Sequence, residues 1–244
     1  MTYSEWLLPE KRDNKKTTRH IFYLRSGDEI DRYKQEMLRS GVKAIRFLPQ
    51  LGIVVGENES ALCSHSIEPH SNVEYVESDI RITINEPLLG SITPLQKQSL
   101  PWGIEHVKAP QVWSKTKGEG VRVAVIDTGI EGEHPVIQKN YVKGVNILSK
   151  NNPPQDYNGH GTHVAGTVAG SASDIGLVGV APHAKIFAVK AFNRKGSANL
   201  SDLLSAINWC IESKMQVINM SFGMDKLSDS LRLAIQIAHK KGIV

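Results

Sequence analysis

Val121-Arg-Val-Ala-Val-Ile126, followed at once by Asp127-Thr-Gly129, is the stretch from which the rest of this 244-residue chain is read. Its β-branched run is suited to a strand, and the glycine two residues after the carboxylate permits a tight exit turn. Downstream, Tyr141 to Leu148, Lys185 to Lys190 and Val217 to Met220 read as further strands, and Ile243-Val244 as the opening of a fifth. Helical spacing separates them: Leu200, Leu203, Leu204, Ile207 and Ile211 in one helix; Leu231, Ala234, Ile235 and Ala238 in another, closed by Lys240, Lys241 and Gly242. Alternating strands and helices predict an α/β domain with a mostly parallel sheet. In such sheets, ligands and catalytic groups gather at the carboxyl ends of the strands, where Asp127 stands.

Upstream the pattern differs. Residues 1–17 are polar, carry Lys11, Arg12, Lys15 and Lys16, and read as a flexible leader. From Thr18, a strand through Ile21-Phe-Tyr-Leu24 leads into Ser26-Gly-Asp-Glu29, a capping-box pattern, and a helix bearing Ile30, Tyr33, Met37 and Leu38 that stops at Gly41. Val42 to Leu48 turns at Pro49-Gln50 into Leu51 to Val55, a hairpin. A short helix near Glu57 to Ser66 and alternation at Val73, Tyr75, Ile80, Ile82 and Ile84 complete βαββαβ, the ferredoxin-like α+β order. Residues 18–88 are read as that small domain. Prolines 87, 94 and 101 with Gly90, Ser91 and Thr93 break both periodicities, so 89–101 is a linker and 102–244 the α/β domain.

Composition agrees with a globular chain: 40% hydrophobic, 22% charged, 20 Gly and 11 Pro exclude collagen-like, disordered and disulfide-scaffold classes. Twenty-nine basic against 25 acidic side chains, without a run of five like charges, give no reason to expect nucleic-acid or membrane partners. Cys63 and Cys210 fall in different expected domains, so no disulfide is predicted. The amino terminus lacks a signal-peptide core and no 18-residue apolar stretch occurs, which places the chain in the cytoplasm.

Three clusters could carry chemistry. A lone Asp127 at a strand end is commonly a turn former. Asn158-Gly-His160-Gly-Thr-His163-Val-Ala-Gly166 flanks a histidine with glycines that admit close backbone approach, and Thr162 can begin a helix whose Ala165, Gly166, Ala169 and Gly170 allow tight packing. His160 and His163 could be metal ligands with Asp127 and Asp156; paired instead, Asp127 fixes the tautomer of His160, leaving its other nitrogen a general base. Asn219-Met-Ser221-Phe222-Gly223 and Gly196-Ser197-Ala198 are short polar edges able to hydrogen-bond an extended peptide. Asp127-Thr-Gly129 also matches the aspartic-protease signature, but that chemistry needs two carboxylates sharing a proton and no second copy occurs.

Together, the Asp127, His160 and Ser221-Phe-Gly223 motifs, in this order and with Gly179-Val-Ala-Pro182 between the second and third, resemble the subtilisin family of serine proteases over about residues 97–244. The resemblance implies that Asp127 is the orienting carboxylate and His160 the general base, while His163 is a helix residue. It makes Gly196, Ser197, Ala198 and Ser221, Phe222, Gly223 the two substrate-flanking strands, with Phe192 and Phe222 near the side-chain pocket. Residues 18–88 then resemble the family's propeptide, and the partners implied are a polypeptide substrate or an intact subtilisin-like protease.

Two departures stand out. The family's nucleophile lies in Gly-Thr-Ser-Met-Ala, after an oxyanion-hole Asn, and neither occurs in these 244 residues; Ser221 belongs to a substrate strand. The expectation is an incomplete gene product, inactive alone. The family's calcium site would use Gln98, a loop matching Ser171 to Leu177, and an Asp where this chain has Val136. A hard cation wants carboxylate oxygens, so the calcium site is expected to be weakened or absent, and no other cofactor is expected.

Overall fold

The computed structural model describes residues 18–25, 43–58, 73–84, 100–172, 177–224 and 226–244. In chain order the elements are β1 (Thr18–Leu24), β2 (Lys43–Leu48), β3 (Ile53–Asn58), β4 (Val73–Ser78) and β5 (Arg81–Thr83). Next come α1 (Trp102–His106), a 3₁₀ turn (Ala109–Gln111), β6 (Arg122–Asp127), β7 (Tyr141–Asn146), α2 (His160–Ala169), and the two-residue strands β8 (Ser171–Ala172) and β9 (Leu177–Val178). β10 (Lys185–Lys190), β11 (Ser197–Asn199), α3 (Leu200–Glu212), β12 (Val217–Asn219) and α4 (Asp229–Lys240) complete the chain. The α/β class is as expected; α1 and the 3₁₀ turn, only five and three residues long, were not legible.

Two compact units result, and they do not follow chain order. One joins β1–β4 with residues 199–213 and the described part of 225–241. Its sheet is antiparallel in the order β2-β3-β1-β4. A split βαβ pattern predicts this arrangement; its two expected helices and the 1–17 leader lie outside the described residues. β2 and β3 form the expected hairpin, but the second strand begins at Ile53 and not at Leu51. Leu51 sits in the turn, its N–H donating to the Leu48 carbonyl at 3.0 Å, and is 2% exposed. Its apolar character reports burial, not strand.

Acceptors on the end of this sheet satisfy the first turns of both helices, whose leading amides lack intrahelical partners. Asp79 accepts from Ser201 N at 2.8 Å and Ser201 Oγ at 2.7 Å, and Glu77 accepts from Ser230 N at 3.0 Å. Carboxylates also complement the positive end of a helix dipole. Arg46 pairs with buried Asp202 at 2.6 Å, and Gln50 N donates to Asn208 Oδ1 at 3.0 Å.

The second unit contains residues 82–198, 214–224 and 242–244. Its sheet is parallel, in the order β12-β6-β10-β7. β6 is buried from Val123 through Asp127, which explains an apolar run without alternation. Ala165 and Ala169 of α2, both 0% exposed, pack with Val123, Val125, Ile186 and Ala188. Small side chains on the helix let it lie close to the sheet. β7 stops at Asn146, short of the expected Leu148, because Asn146 Oδ1 accepts the N–H groups of Leu148 and Ser149, each at 3.1 Å. β12 likewise ends at Asn219, one residue early. Val244 N donates to Gln216 O at 3.0 Å and Ile218 N to Val244 O at 2.8 Å, so Val244 pairs along β12 as the expected fifth strand would.

Candidate active site

The parallel register places Asp127 at the last position of β6, opposite Lys190 of β10, and its carbonyl accepts from Ala191 N at 3.0 Å and Phe192 N at 3.1 Å. The carboxylate is thereby held by two strands at the carboxyl edge of the sheet. Its side chain is 1% exposed, and that of His160, on the first residue of α2, is 14% exposed. His160 Nδ1 lies 2.7 Å from Asp127 Oδ1 and 2.9 Å from Oδ2. A carboxylate only accepts, so Nδ1 carries a proton, which in the neutral imidazole leaves the lone pair on Nε2. Thr128 N also donates to Asp127 Oδ1, at 2.7 Å. Burial raises the Asp127 carboxyl above its ordinary value, and the hydrogen bonds from His160 and Thr128 work against that rise.

The position of His160 follows from how α2 starts. The helix begins at His160, not at Thr162 as the sequence suggested, and Gly159 caps it with φ +102°. Its leading amides are all taken by side chains. Asp156 accepts from Gly159 N and Thr162 N, each at 2.9 Å, Asn158 Oδ1 from His160 N at 3.2 Å, and Thr128 Oγ1 from Gly161 N at 3.0 Å. Asp156 further accepts from Asn158 N at 2.9 Å, Thr128 Oγ1 at 2.9 Å and Thr162 Oγ1 at 2.7 Å. Burial pushes the Asp156 carboxyl up, but its hydrogen bonds from Gly159, Thr162 and Asn158 outweigh burial and hold it below the ordinary carboxylate range. Asp156 and Thr128 are therefore parts of the site that sequence reasoning missed. Asp156 entered it only as a possible metal ligand, and no motif spacing links it to Thr128.

Of the remaining candidates, Gly196 takes φ +66°, and Ser197 and Ala198 are buried in β11, which pairs with β5. Ile84 N donates to Gly196 O at 2.9 Å. Ser221 is exposed and its Oγ accepts from Asn219 Nδ2 at 2.9 Å. Phe222 meets the fully buried Phe192 with ring centroids 5.3 Å apart, which joins the 221–223 stretch to the exit of β10; Gly223 is exposed beside it. His163 is exposed on α2. Of the calcium candidates, Gln98 and residues 173–176 lie outside the described residues. Val136 is 8% exposed, and its carbonyl accepts from Ser171 N at 2.8 Å. An apolar side chain and an engaged carbonyl do not fit a hard cation at that position. Cys210 is a buried free thiol, and Cys63 lies outside the described residues. No helix among the described residues is long and apolar enough to cross a membrane.

Residues 118–244 match the Subtilase family of peptidases. The chain is 38% identical over 174 residues to a thermostable alkaline protease of Halalkalibacterium halodurans, a match covering 71% of this chain and 44% of that protein. It is 44% identical over 149 residues to Subtilisin E of Bacillus subtilis, covering 60% of this chain and 39% of the relative. Among solved structures, fervidolysin from Fervidobacterium pennivorans, a keratinolytic enzyme related to subtilisin, superposes with TM-score 0.73 over 98% of this chain and 40% of its own, at 24% identity. The chain thus spans about two fifths of the length of these relatives, and with an Asp127–His160 pair at the carboxyl edge of a parallel sheet it belongs to the subtilase family.

Proposed function

We propose that these residues supply the carboxylate and general base of a subtilisin-type serine endopeptidase, with the nucleophile and oxyanion donor contributed from outside the 244 residues. The 2.7 Å contact between His160 Nδ1 and Asp127 Oδ1 carries the reading. Asp127 fixes the imidazole so that Nε2 removes the proton of an attacking serine and later gives it to the leaving amine; the Asp stabilises the imidazolium formed between. Gly196 to Ala198 and Ser221 to Gly223 would hold an extended peptide between them. The chain alone should neither hydrolyse a peptide nor react with a fluorophosphonate. Labelling would show that one of its own serines is activated, and the proposed division would fall. A chimera continuing residue 244 into the matching remainder of Subtilisin E should hydrolyse casein. In that chimera His160→Ala should lower kcat by about 10⁶, the magnitude known for subtilisin itself; an unaffected chimera would remove His160 from the role of base.

A second reading is favoured by one observation. Ile84 N donates to Gly196 O at 2.9 Å, so the segment that follows β5 already lies along a proposed substrate strand. We infer that residues 18–88 bind a subtilisin-like protease as an inhibitor or folding partner. A purified 18–88 fragment should inhibit such an enzyme, and no inhibition at high micromolar concentration would contradict this. Val136 leads us to infer further that the chain does not use calcium at the position where relatives place a carboxylate.

A further inference from the structure

Lys190 is the last residue of β10 and one of the few charged side chains in the second unit's interior, at 6% exposure. A buried ammonium is costly unless it is paired and hydrogen-bonded. Its Nζ donates to the carbonyl of Thr128, the residue that follows Asp127, and lies 5.8 Å from the centre of the Tyr157 ring. The parallel register makes Lys190 the direct neighbour of Asp127 on one side and of Asn146 on the other. The charged and titratable groups that act on it are Asp127 at the end of β6 and Asp156 and Tyr157 in the loop before α2, with His160 reached through Asp127. Asn146 of β7 is neutral and spends its amide on Pro153 O at 3.2 Å and its oxygen on Leu148 and Ser149.

Asp127 is buried and Asp156 half-buried, and Asp127 must stay ionised if it is to accept from Nδ1 of His160. Its hydrogen bonds supply part of that stabilisation. The remaining requirement is a counter-charge on the protein side, since water has little access.

We propose that Lys190 is a positioning residue for the Asp127–His160 pair: its buried ammonium keeps the Asp127 carboxylate ionised, and its bond to Thr128 O fixes the turn that aims that carboxylate at the imidazole. Burial lowers the proton affinity of Lys190 on balance, and the charges of Asp156 and Asp127 work against that fall. The same bond serves geometry, because Thr128 also presents its hydroxyl to Gly161 N and Asp156. One strand end thereby sets the charge and the direction of the acid while a second carries the acid itself.

The inference rests on the reading of Asp127 and His160 as an acid–base pair, and its test reads the acid directly. In the full chain, the Asp127 carboxyl carbon is followed by ¹³C NMR as pH is varied, in wild type and in Lys190→Met, which keeps the apolar stem and removes the charge. Removing an opposite charge beside a carboxylate raises its proton affinity, so Lys190→Met should bind its Asp127 proton roughly ten times more tightly. An unchanged titration in the folded variant overturns the proposal. Should Lys190→Met not fold, the ¹⁵N signal of Lys190 Nζ in the wild-type chain decides: an ammonium at pH 7 supports the assignment and a neutral amine overturns it. Failure of the dyad is distinguishable, because it would show as a missing Nδ1–H proton in the wild-type chain whatever Lys190 does.

Discussion

Asp127 is buried and Asp156 half-buried at the same sheet edge, yet their carboxyl groups shift in opposite directions. Burial raises Asp127, so the folded state binds its proton more readily than the unfolded chain does. Its ionised form therefore costs stability above the folded-state value, and the cost disappears as pH falls toward the unfolded value near 4. The chain should therefore lose stability from this group as pH rises through the folded-state value of Asp127, and Asp127→Asn should lack that step; thermal unfolding of both between pH 4 and 8 measures it, and an identical pH profile would contradict it. Asp156 has the opposite sign. Its lowered value means that its stabilisation is present in full above the unfolded value and is lost as pH falls through the folded one. Asp156→Ala leaves the Gly159 and Thr162 amides without their acceptor and should cost about 3 kcal/mol at pH 7 in urea unfolding, shrinking in acid. A loss below half of that would mean the amides find water instead. Sequence reading reached Asp127 and His160 because each lies in a stretch with its own spacing and flanking glycines. Asp156, Thr128 and Lys190 escaped it because they act through single bonds across the sheet edge, and no periodicity marks such bonds.

Elements were legible where burial is periodic and less so where side chains end them. The apolar face of α3 follows from the spacing of its residues; on α4, Ala234 and Ala238 are buried as that spacing predicts, but Ile235 is 41% exposed. β7 ends where Asn146 takes two amides, and α2 starts two residues before the threonine that looked like its first residue, because Asp156 caps it from outside the helix. At Leu51 the sequence predicts strand, since an apolar residue in a tight turn gives no sign that it is core. Close approach of α2 to the β6 exit rests on glycine. A methyl group on Gly161 would strike the Gly129 carbonyl oxygen and come within 3.1 Å of Asp127 Cβ. Gly161→Ala should destabilise by about 1–3 kcal/mol and draw His160 away from Asp127. The check is the chemical shift of His160 ring protons beside the unfolding midpoint; a variant with native shifts and native stability would show that the helix can retreat without cost.

At the scale of the whole molecule, the sequence order of small domain, linker and α/β domain does not coincide with the compact units, since α3 and α4 group with β1–β4. Helix periodicity reports that a face is buried but not what buries it, so this grouping could not be read in advance. The strand order of the small sheet, by contrast, follows from the βαββαβ pattern. Calcium belongs at this scale too: with Val136 at 8% exposure where a carboxylate is expected, millimolar calcium and a chelator should give the same Tm for the chain, and a rise of several degrees with calcium would show a site built from other oxygens. Everything proposed for catalysis depends on one proton. ¹⁵N NMR of the His160 ring in its neutral form should show a protonated Nδ1 and an unprotonated Nε2, with the Nδ1 proton lost from its downfield position in Asp127→Ala; a neutral ring protonated at Nε2, or a wild-type spectrum that Asp127→Ala leaves unchanged, would contradict the account.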